Sequence, residues 1–289
     1  MGESQKERPA NGSVATAPGR SCGAAESEMP AVNRKSGYYG AKSPVIPVVL
    51  CRLVLFLPAM VWAVYAGWAA VQDPYAQRRE KMVEEQIISR GVRDERVLET
   101  MRTVPRHLFV PQSLIPRAYT DGALSIGEGQ TISQPYIVAL MTELLRPEPE
   151  DIVLEVGTGS GYQAAVLARI VNHVYSIEIL PSLAASAKRR LAQMGFANVT
   201  VQAGDGYLGW PEFAPFDGII VTAAPPEIPF ALLQQLKRGG RMVVPVGQSA
   251  ETQALMVIEK SRTSDQITKR TVIPVRFVPM VHAPDSSMN

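Results

Sequence analysis

The chain has 289 residues, a formal net charge of +2 and a hydrophobic fraction of 46%. This length suits one large domain or two small ones, and a near-neutral charge excludes the broad basic surface typical of nucleic-acid-binding proteins. Both cysteines, Cys22 and Cys51, precede the part that is predicted to be globular, so we expect no disulfide framework there. The three histidines are scattered through the chain, and no His/Cys cluster has metal-ligand spacing. We therefore expect neither a metal site nor a nucleic-acid partner.

The first 72 residues differ from the rest in composition. Residues 1–43 are rich in Gly, Ala, Ser, Pro and charged residues, which predicts a disordered leader. Residues 44–72 form an apolar segment, in which the stretch from Leu53 to Val71 is about long enough to span a bilayer. This segment is interpreted as a signal peptide, a membrane anchor or the product of a start codon placed too far upstream. Membrane association through residues 44–72 therefore stays open.

Residues 73–289 are predicted to form a single domain, with a helical cap and substrate region at residues 73–149 and a cofactor-binding sheet at residues 150–289. In the first region, glycine and proline positions and possible caps predict where helices begin and end. The predicted elements are a helix in residues 74–89 that ends before Gly91, a helix capped by Asp94, an extended piece at 106–111, a loop at 116–134, and a helix that follows Ser133 and ends before Pro147.

A strand, a glycine turn and a helix are predicted from residue 151 to residue 170. The apolar run at 152–156 is typical of a buried parallel strand. Gly157, Gly159 and Gly161 follow it at every second position. Glycines let a ligand approach the backbone closely, and the helix behind them offers unpaired N–H groups. Such a turn suits a nucleotide or a nucleoside-like ligand.

The spacing of the glycines narrows the choice of ligand. In the Gly-x-Gly-x-x-Gly fingerprint of dinucleotide-binding proteins, the third glycine would come one residue later than Gly161. Glu155 lies inside the strand, where a carboxylate would repel a pyrophosphate but suit a cationic ligand. Glu178 follows about 20 residues after the turn, where an acidic side chain can accept ribose hydroxyls. The turn and the two acids resemble the binding site of class I S-adenosylmethionine-dependent methyltransferases.

After the turn, strands and helices alternate, which predicts a doubly wound, mostly parallel α/β sheet of Rossmann-like type. The last two strands are expected to be an antiparallel pair. The predicted elements are a strand at 173–178, a helix at 183–194, a strand at 199–203, a strand at 218–222, a helix at 229–236 that is followed by the segment 237–240 (KRGG), and strands at 241–246, 254–258 and 272–277.

More specific motifs surround the glycine turn. The segments 106–111 (RHLFVP) and 129–135 (GQTISQP) resemble the protein-L-isoaspartate O-methyltransferase family, as do 221–225 (VTAAP) and 239–247 (GGRMVVPVG). The resemblance covers roughly residues 79–281, and the leader lies outside the pattern of the family. The resemblance implies methyl transfer from S-adenosylmethionine to the α-carboxylate of L-isoaspartyl residues in damaged proteins. The ester then cyclises to a succinimide, and hydrolysis regenerates some normal aspartate.

The resemblance also implies roles for individual residues. Ser133 corresponds to the active-site residue of the family, and Thr131, Ile132 and Ser133 are expected to bind the substrate. A methyltransferase for another small-molecule or RNA substrate remains the alternative. The cofactor contacts are expected at Glu155, Gly157, Thr158, Gly159, Gly161, Glu178, Asp205 and Gly206.

Simpler interpretations of these residues also stay open. Ser133 is well placed to cap the helix that follows, Glu178 to end a strand in solvent, and Asp205 to stabilise a turn. His107 is expected to be structural. Because S-adenosylmethionine is made inside the cell, we expect the enzyme in the cytoplasm, with a membrane-anchored or exported form as the alternative.

Overall fold

The computed structural model describes residues 73–248 and 252–283. The predicted leader at 1–43 and the apolar segment at 44–72 lie outside the described residues. In the part of the chain that is described, no helix is both long enough and apolar enough to cross a membrane.

Nine strands are described, of which seven join in one sheet and two form a separate hairpin. The strands are β1 (Leu124–Gly127), β2 (Gln130–Ile132), β3 (Ile152–Val156), β4 (His173–Glu178), β5 (Val199–Ala203), β6 (Phe216–Val221), β7 (Leu236–Val246), β8 (Gln253–Lys260) and β9 (Ile267–Val275).

The strand order in the large sheet is β5-β4-β3-β6-β7-β8-β9. The first five strands in this order are parallel, whereas β8 is antiparallel to both β7 and β9. The chain reverses direction across the sheet at β3, since β4 lies on one side of it and β6 on the other. Ligands of open α/β sheets bind at this kind of switch point. The predicted doubly wound sheet and its antiparallel last pair are confirmed.

Six α-helices accompany the strands within the described ranges. Asp94 caps the second of them, since its side chain accepts hydrogen bonds from the N–H groups of Arg96 and Val97, as predicted. The first helix continues through irregular turns and ends at Gly91, whose φ of 96° is left-handed. The helices are α1 (Ala76–Met82), α2 (Glu95–Thr103), α3 (Pro135–Leu145), α4 (Tyr162–Ala168), α5 (Pro181–Gln193) and α6 (Phe230–Gln235).

The structure corrects two predictions in the segment between α2 and α3. The piece predicted to be extended is a 3₁₀ turn, Arg106–Phe109, and its first and last side chains are both buried. Positions i and i+3 lie on one side of such a turn, and a four-residue pattern is too short to distinguish it from a strand. The predicted loop contains another 3₁₀ turn, Gln112–Arg117, and the β1–β2 hairpin. Glu128 and Gly129 connect the hairpin with φ angles of 51° and 71°, which is the backbone of a type I′ turn.

The strand predicted at 241–246 begins earlier than expected. β7 starts at Leu236, so the segment 237–240, which separates the predicted helix from the predicted strand, lies inside the strand. Leu236 pairs with Phe216, and the register then shifts before Arg241 pairs with Gly218. The extra residues bulge out of the ladder, which explains why their Lys-Arg-Gly-Gly composition is typical of a turn.

The sheet is buried on both faces, and each face packs against its own apolar cluster. Along β3, Val153 belongs to one cluster, whereas Leu154 and Val156 belong to the other. Because side chains alternate along a strand, Glu155 points to the same face as Val153. On the opposite face, Tyr175 stacks on Phe213 at 4.1 Å between ring centroids.

Candidate active site

A cleft lies at the carboxyl ends of β3, β4 and β6. Its walls come from the β1–β2 hairpin, the glycine turn, the end of β4, the end of β6 and a segment that follows β9. The lining residues are Gln130, Thr131, Ile132, Ser133, Val138, Val156, Gly157, Thr158, Gly159, Ser160, Tyr162, Gln163, Ile177, Glu178, Ile179, Gly206, Thr222, Ala223, Val278, Pro279, Met280 and Val281.

The three glycines of the turn are in left-handed conformations, with φ angles of 99°, 52° and 88°. A Cβ atom at Gly157 would lie 2.4 Å from Oγ1 of Thr222, so neighbouring protein atoms exclude a side chain there. At Gly161 a Cβ would lie 3.2 Å from Leu191 of α5, which suggests that this glycine allows close helix packing. At Gly159 a Cβ would meet only Ile126, at 3.4 Å, so this position faces open space in the cleft.

Glu155 is completely buried and does not line the cleft. Oε2 accepts a hydrogen bond from Ser176, and the hydroxyl of Ser176 lies 2.6 Å from that of Thr158 in the turn. Oε1 has no hydrogen-bond partner among the described residues. Burial raises the pKa of the Glu155 carboxyl to about 8, so the group is mainly protonated at neutral pH. Its hydrogen bond to Ser176 therefore connects β3 to the glycine turn through β4.

Glu178 lines the cleft at the end of β4, and its side chain is almost completely buried. One oxygen accepts a hydrogen bond of 2.7 Å from the N–H of Gly159, and the other accepts one of 3.0 Å from the N–H of Leu180. The residue is therefore not the solvated strand end that its position in the sequence also allowed.

Asp205 and Gly206 follow β5. Gly206 lines the cleft, and a Cβ atom there would lie 2.4 Å from Val156. Asp205 is not part of the lining. It accepts a hydrogen bond of 2.8 Å from the N–H of Tyr207, and its second oxygen lies 3.0 Å from Nδ1 of His282. The structure thus shows the turn role for Asp205 and adds a contact with the end of the described chain.

The cleft is also lined by Thr131, Ile132 and Ser133. These residues are distant from the glycine turn in sequence but line the same cleft. Ser133 does not cap α3, because the N-cap residue is Gln134 and no side chain makes a capping bond. The backbone carbonyl of Ser133 instead accepts a hydrogen bond of 2.7 Å from Arg106. The Ser133 hydroxyl forms no hydrogen bond with the described residues, so it is available to a ligand.

The segment at 278–281 is a wall of the cleft that the sequence patterns did not indicate. Ala224 holds it in a short parallel bridge: its N–H donates to the carbonyl of Val278, and its carbonyl accepts from the N–H of Met280, both at 2.8 Å. The segment has no helical or alternating period. The only nearby pattern in the sequence is the apolar strand before it, and that pattern predicts the sheet but not the site. Gln163 and Thr222 were also missed as lining residues.

The protein-L-isoaspartate (D-aspartate) O-methyltransferase family model matches residues 77–285. A protein named protein-L-isoaspartate O-methyltransferase from Synechococcus sp. (strain JA-2-3B'a(2-13)) is 57% identical over 215 residues, which are 72% of this chain and 87% of the relative. Its counterpart from Opitutus terrae is 51% identical over 228 residues, 79% of this chain and 97% of the relative.

The chain belongs to the protein-L-isoaspartate (D-aspartate) O-methyltransferase family.

A solved structure named protein-L-isoaspartate O-methyltransferase superposes with a TM-score of 0.64 at 32% identity and covers 70% of this chain, which spans 65% of that one. A crystal structure of a Plasmodium falciparum protein described as a protein-L-isoaspartate O-methyltransferase, in complex with S-adenosyl-L-homocysteine, has a TM-score of 0.60 at 23% identity. It covers 73% of this chain and 99% of its own. This second likeness shows the shared fold.

Membership in the isoaspartate methyltransferase family confirms three expectations from the sequence. The enzyme is a carboxyl O-methyltransferase of protein repair, S-adenosylmethionine is its cofactor, and isoaspartyl-containing proteins are its substrates. The roles of individual residues in the site remain predictions, and so do the proposed domain boundaries.

We predict that Gly159→Val abolishes the binding of S-adenosylhomocysteine, the product of the cofactor. The valine side chain would fill the open space beside the turn, and a β-branched residue is strained at a φ of 52°. Titration calorimetry measures the affinity. The control is Gly195→Val at the end of α5, because Gly195 also has a positive φ, 80°, and a Cβ there would have no atom within 4 Å. Wild-type affinity in Gly159→Val would contradict the prediction.

We further predict that Glu155→Gln changes how stability depends on pH. The folded-state pKa of Glu155, about 8, lies above its ordinary value of 4.5. The folded wild type therefore binds the proton more tightly than the unfolded chain, and it loses this contribution to stability as pH rises from about 4.5 to about 8. Glutamine cannot ionise, so the variant lacks this pH dependence. The free energy of unfolding of the variant, relative to that of the wild type, should therefore increase as pH rises across this window.

Urea unfolding at several pH values tests this expectation. Glu212→Gln serves as the control, because Glu212 is exposed and the same change should leave the pH profile as it is. Parallel profiles for Glu155→Gln and the wild type would show that Glu155 does not carry the proton.

Proposed function

We propose that the glycine turn and Glu178 hold S-adenosylmethionine in the cleft, and that Thr131, Ile132 and Ser133 hold the isoaspartyl α-carboxylate beside it. One observation carries this assignment: the hairpin segment and the turn, which are distant in sequence, line the same cleft. The direct cofactor contacts then come from Gly157, Thr158, Gly159, Glu178 and Gly206, which all line the cleft.

Glu155, Gly161 and Asp205 support the cofactor site in this proposal without lining the cleft. Glu155 holds the turn through Ser176, and Gly161 allows α5 to pack closely behind it. Asp205 holds the turn through Gly206 by accepting from the N–H of Tyr207, and it contacts His282. The cleft is lined by both apolar side chains and a few polar groups, as is usual for small-molecule sites.

The reaction makes few demands on acid or base catalysis. When bound, the cofactor supplies an electrophilic methyl group on a sulfonium. A carboxylate has a pKa near 4, so the acceptor is already the nucleophile at neutral pH and a general base is unnecessary. The protein's task is to align the acceptor and exclude water. The free hydroxyl of Ser133 can donate a hydrogen bond to one carboxylate oxygen and leave the other to attack.

The start of α3 favours an anionic acceptor at the same place. Pro135 is the first residue of this helix, two positions after Ser133. The first N–H groups of a helix have no intrahelical partner and carry a partial positive charge. Ser133 therefore lies where the backbone of α3 attracts a carboxylate.

We predict that Ser133→Ala lowers kcat while the affinity for S-adenosylhomocysteine stays near that of the wild type. The loss of one hydrogen bond to a charged group corresponds to about 1.5–3 kcal/mol, or on the order of 10- to 150-fold. The assay is methylation of an isoaspartyl peptide at saturating cofactor. Ser125→Ala is the control, because Ser125 is exposed on the same hairpin and does not line the cleft.

Melting temperature separates this role from a structural one. Since Ser133 makes no capping bond, the variant should melt close to the wild type. A large fall in melting temperature, with full activity per folded molecule, would show that Ser133 serves only the fold.

We also propose that residues 73–289 act as one domain in the cytoplasm. S-adenosylmethionine is a charged metabolite made there, and moving its charges through hydrocarbon is costly. An exported enzyme would lack its methyl donor. Association of residues 44–72 with the inner face of a membrane is compatible with this location.

A reporter fusion tests the location. Alkaline phosphatase joined after Gln72 is active only outside the cytoplasm, so we expect low activity from it in cells. The same reporter behind a known export signal is the positive control. Strong phosphatase activity from the Gln72 fusion would show that residues 1–72 direct export.

A further inference from the structure

Arg106 is a buried charged side chain between the acceptor segment and the glycine turn. Its exposed fraction is 0%, and the guanidinium spans two backbone segments. Nε donates a hydrogen bond of 2.8 Å to the carbonyl of Ala118, and Nη2 donates one of 2.7 Å to the carbonyl of Ser133. Cζ lies 4.9 Å from the centre of the Tyr162 ring. Arg106 therefore contacts both the acceptor segment and the first residue of the helix behind the glycine turn.

The positive charge of Arg106 is not neutralised by the residues around it. Its polar contacts in the described structure are backbone carbonyls and tyrosines, and Nη1 has no hydrogen-bond partner there. Burial lowers the pKa of the guanidinium to about 10, which still leaves it charged at neutral pH. A buried charge without a counter-ion is costly to the fold.

The location of Arg106 suggests what compensates for that cost. Ser133 and Tyr162 both line the cleft, so the guanidinium lies directly behind its wall. Charges interact strongly in such a poorly screened environment. The acceptor of this reaction carries one negative charge, on the α-carboxylate that is methylated.

We propose that Arg106 positions the acceptor: it fixes the backbone at Ser133, and its unneutralised charge makes the cleft select a carboxylate over a neutral group. The inference rests on the proposed site, in which Thr131–Ser133 hold the isoaspartyl group. Arg106 lies behind the wall and does not itself react.

The decisive measurement compares two peptide inhibitors. Both have the isoaspartyl sequence, and one has its α-carboxylate converted to an amide. The wild type should bind the carboxylate form more tightly than the amide form. Arg106→Met keeps the length of the side chain but removes its charge, so it should lower this preference on the order of tenfold. Affinity for S-adenosylhomocysteine should change little.

A purely structural role would not give this result, because a disordered acceptor segment would weaken both peptides equally. Arg169→Met is the matched control. Arg169 also stacks on an aromatic ring, with Cζ 5.1 Å from the centre of Phe196, but it is exposed and does not line the cleft. It should keep the wild-type preference. An unchanged carboxylate preference in Arg106→Met would overturn the proposal.

A second experiment separates charge from geometry and does not need the methionine variant to fold. Arg106→Lys keeps the charge but cannot bridge the two carbonyls with a planar fork. It should retain the carboxylate preference and lower kcat. The lowered kcat should depend on Ser133, so Arg106→Lys should have a much smaller effect in a Ser133→Ala background. Fully additive effects, or loss of the preference in Arg106→Lys, would contradict the inference.

Failure of this inference can be distinguished from failure of the proposed site. If Ser133→Ala keeps full turnover, the assignment of the acceptor segment is wrong. If Ser133→Ala is impaired while Arg106→Met still prefers the carboxylate, only the role of Arg106 is wrong.

Discussion

The backbone contact between the glycine turn and the ends of two neighbouring strands determines where the cleft lies. The Thr222 hydroxyl, just after β6, donates to the carbonyl of Gly157 at 2.6 Å, and the Ile177 carbonyl in β4 accepts from the N–H of Gly157 at 2.8 Å. No side chain fits at Gly157 between these neighbours. The floor of the cleft is thus set by main-chain atoms of the turn and of β4 and by the Thr222 hydroxyl after β6. Glu178 is brought to the turn because β4 ends beside it. Sites that are built on strands hold a ligand more precisely than sites on loops.

Two buried ionisable groups near this floor have different charge states at neutral pH, although burial disfavours the charged form of both. Glu155 becomes mainly neutral at pH 7, because its pKa rises to about 8. Arg106 stays charged, because even a lowered pKa of about 10 is well above neutrality. The buried layer around the cleft therefore keeps the positive charge of Arg106 on the acceptor side, whereas Glu155 adds little negative charge beneath the turn. This asymmetry suits a reaction whose acceptor is an anion, and it arises from the intrinsic basicity of the two side chains as much as from their positions.

Strong local signals made much of this fold predictable. The apolar run of β3, the glycines after it and the cap at Asp94 determine structure within a few residues, and the family motifs located the candidate acceptor segment. The errors in the predicted structure fall where the sequence pattern is very short or where the structure depends on contacts between distant segments. The turn at Arg106–Phe109 is one 3₁₀ turn, and the hairpin connection uses Glu128-Gly129 where Asn-Gly is the usual sign. The wall at 278–281 depends on one bridge to Ala224, which no periodicity in either segment can indicate.

The distribution of these errors follows from how the cleft is built. Its floor belongs to the parallel sheet, where strand and turn are local consequences of sequence. Its walls come from the hairpin before the sheet and from the segment after β9, which meet only once the whole domain is folded. Many methyltransferases share such a floor, so the floor explains the cofactor but not the acceptor. We infer that selection of an isoaspartyl carboxylate depends on the added walls, and on buried groups such as Arg106 that hold the segment at Ser133 against the helix behind the turn.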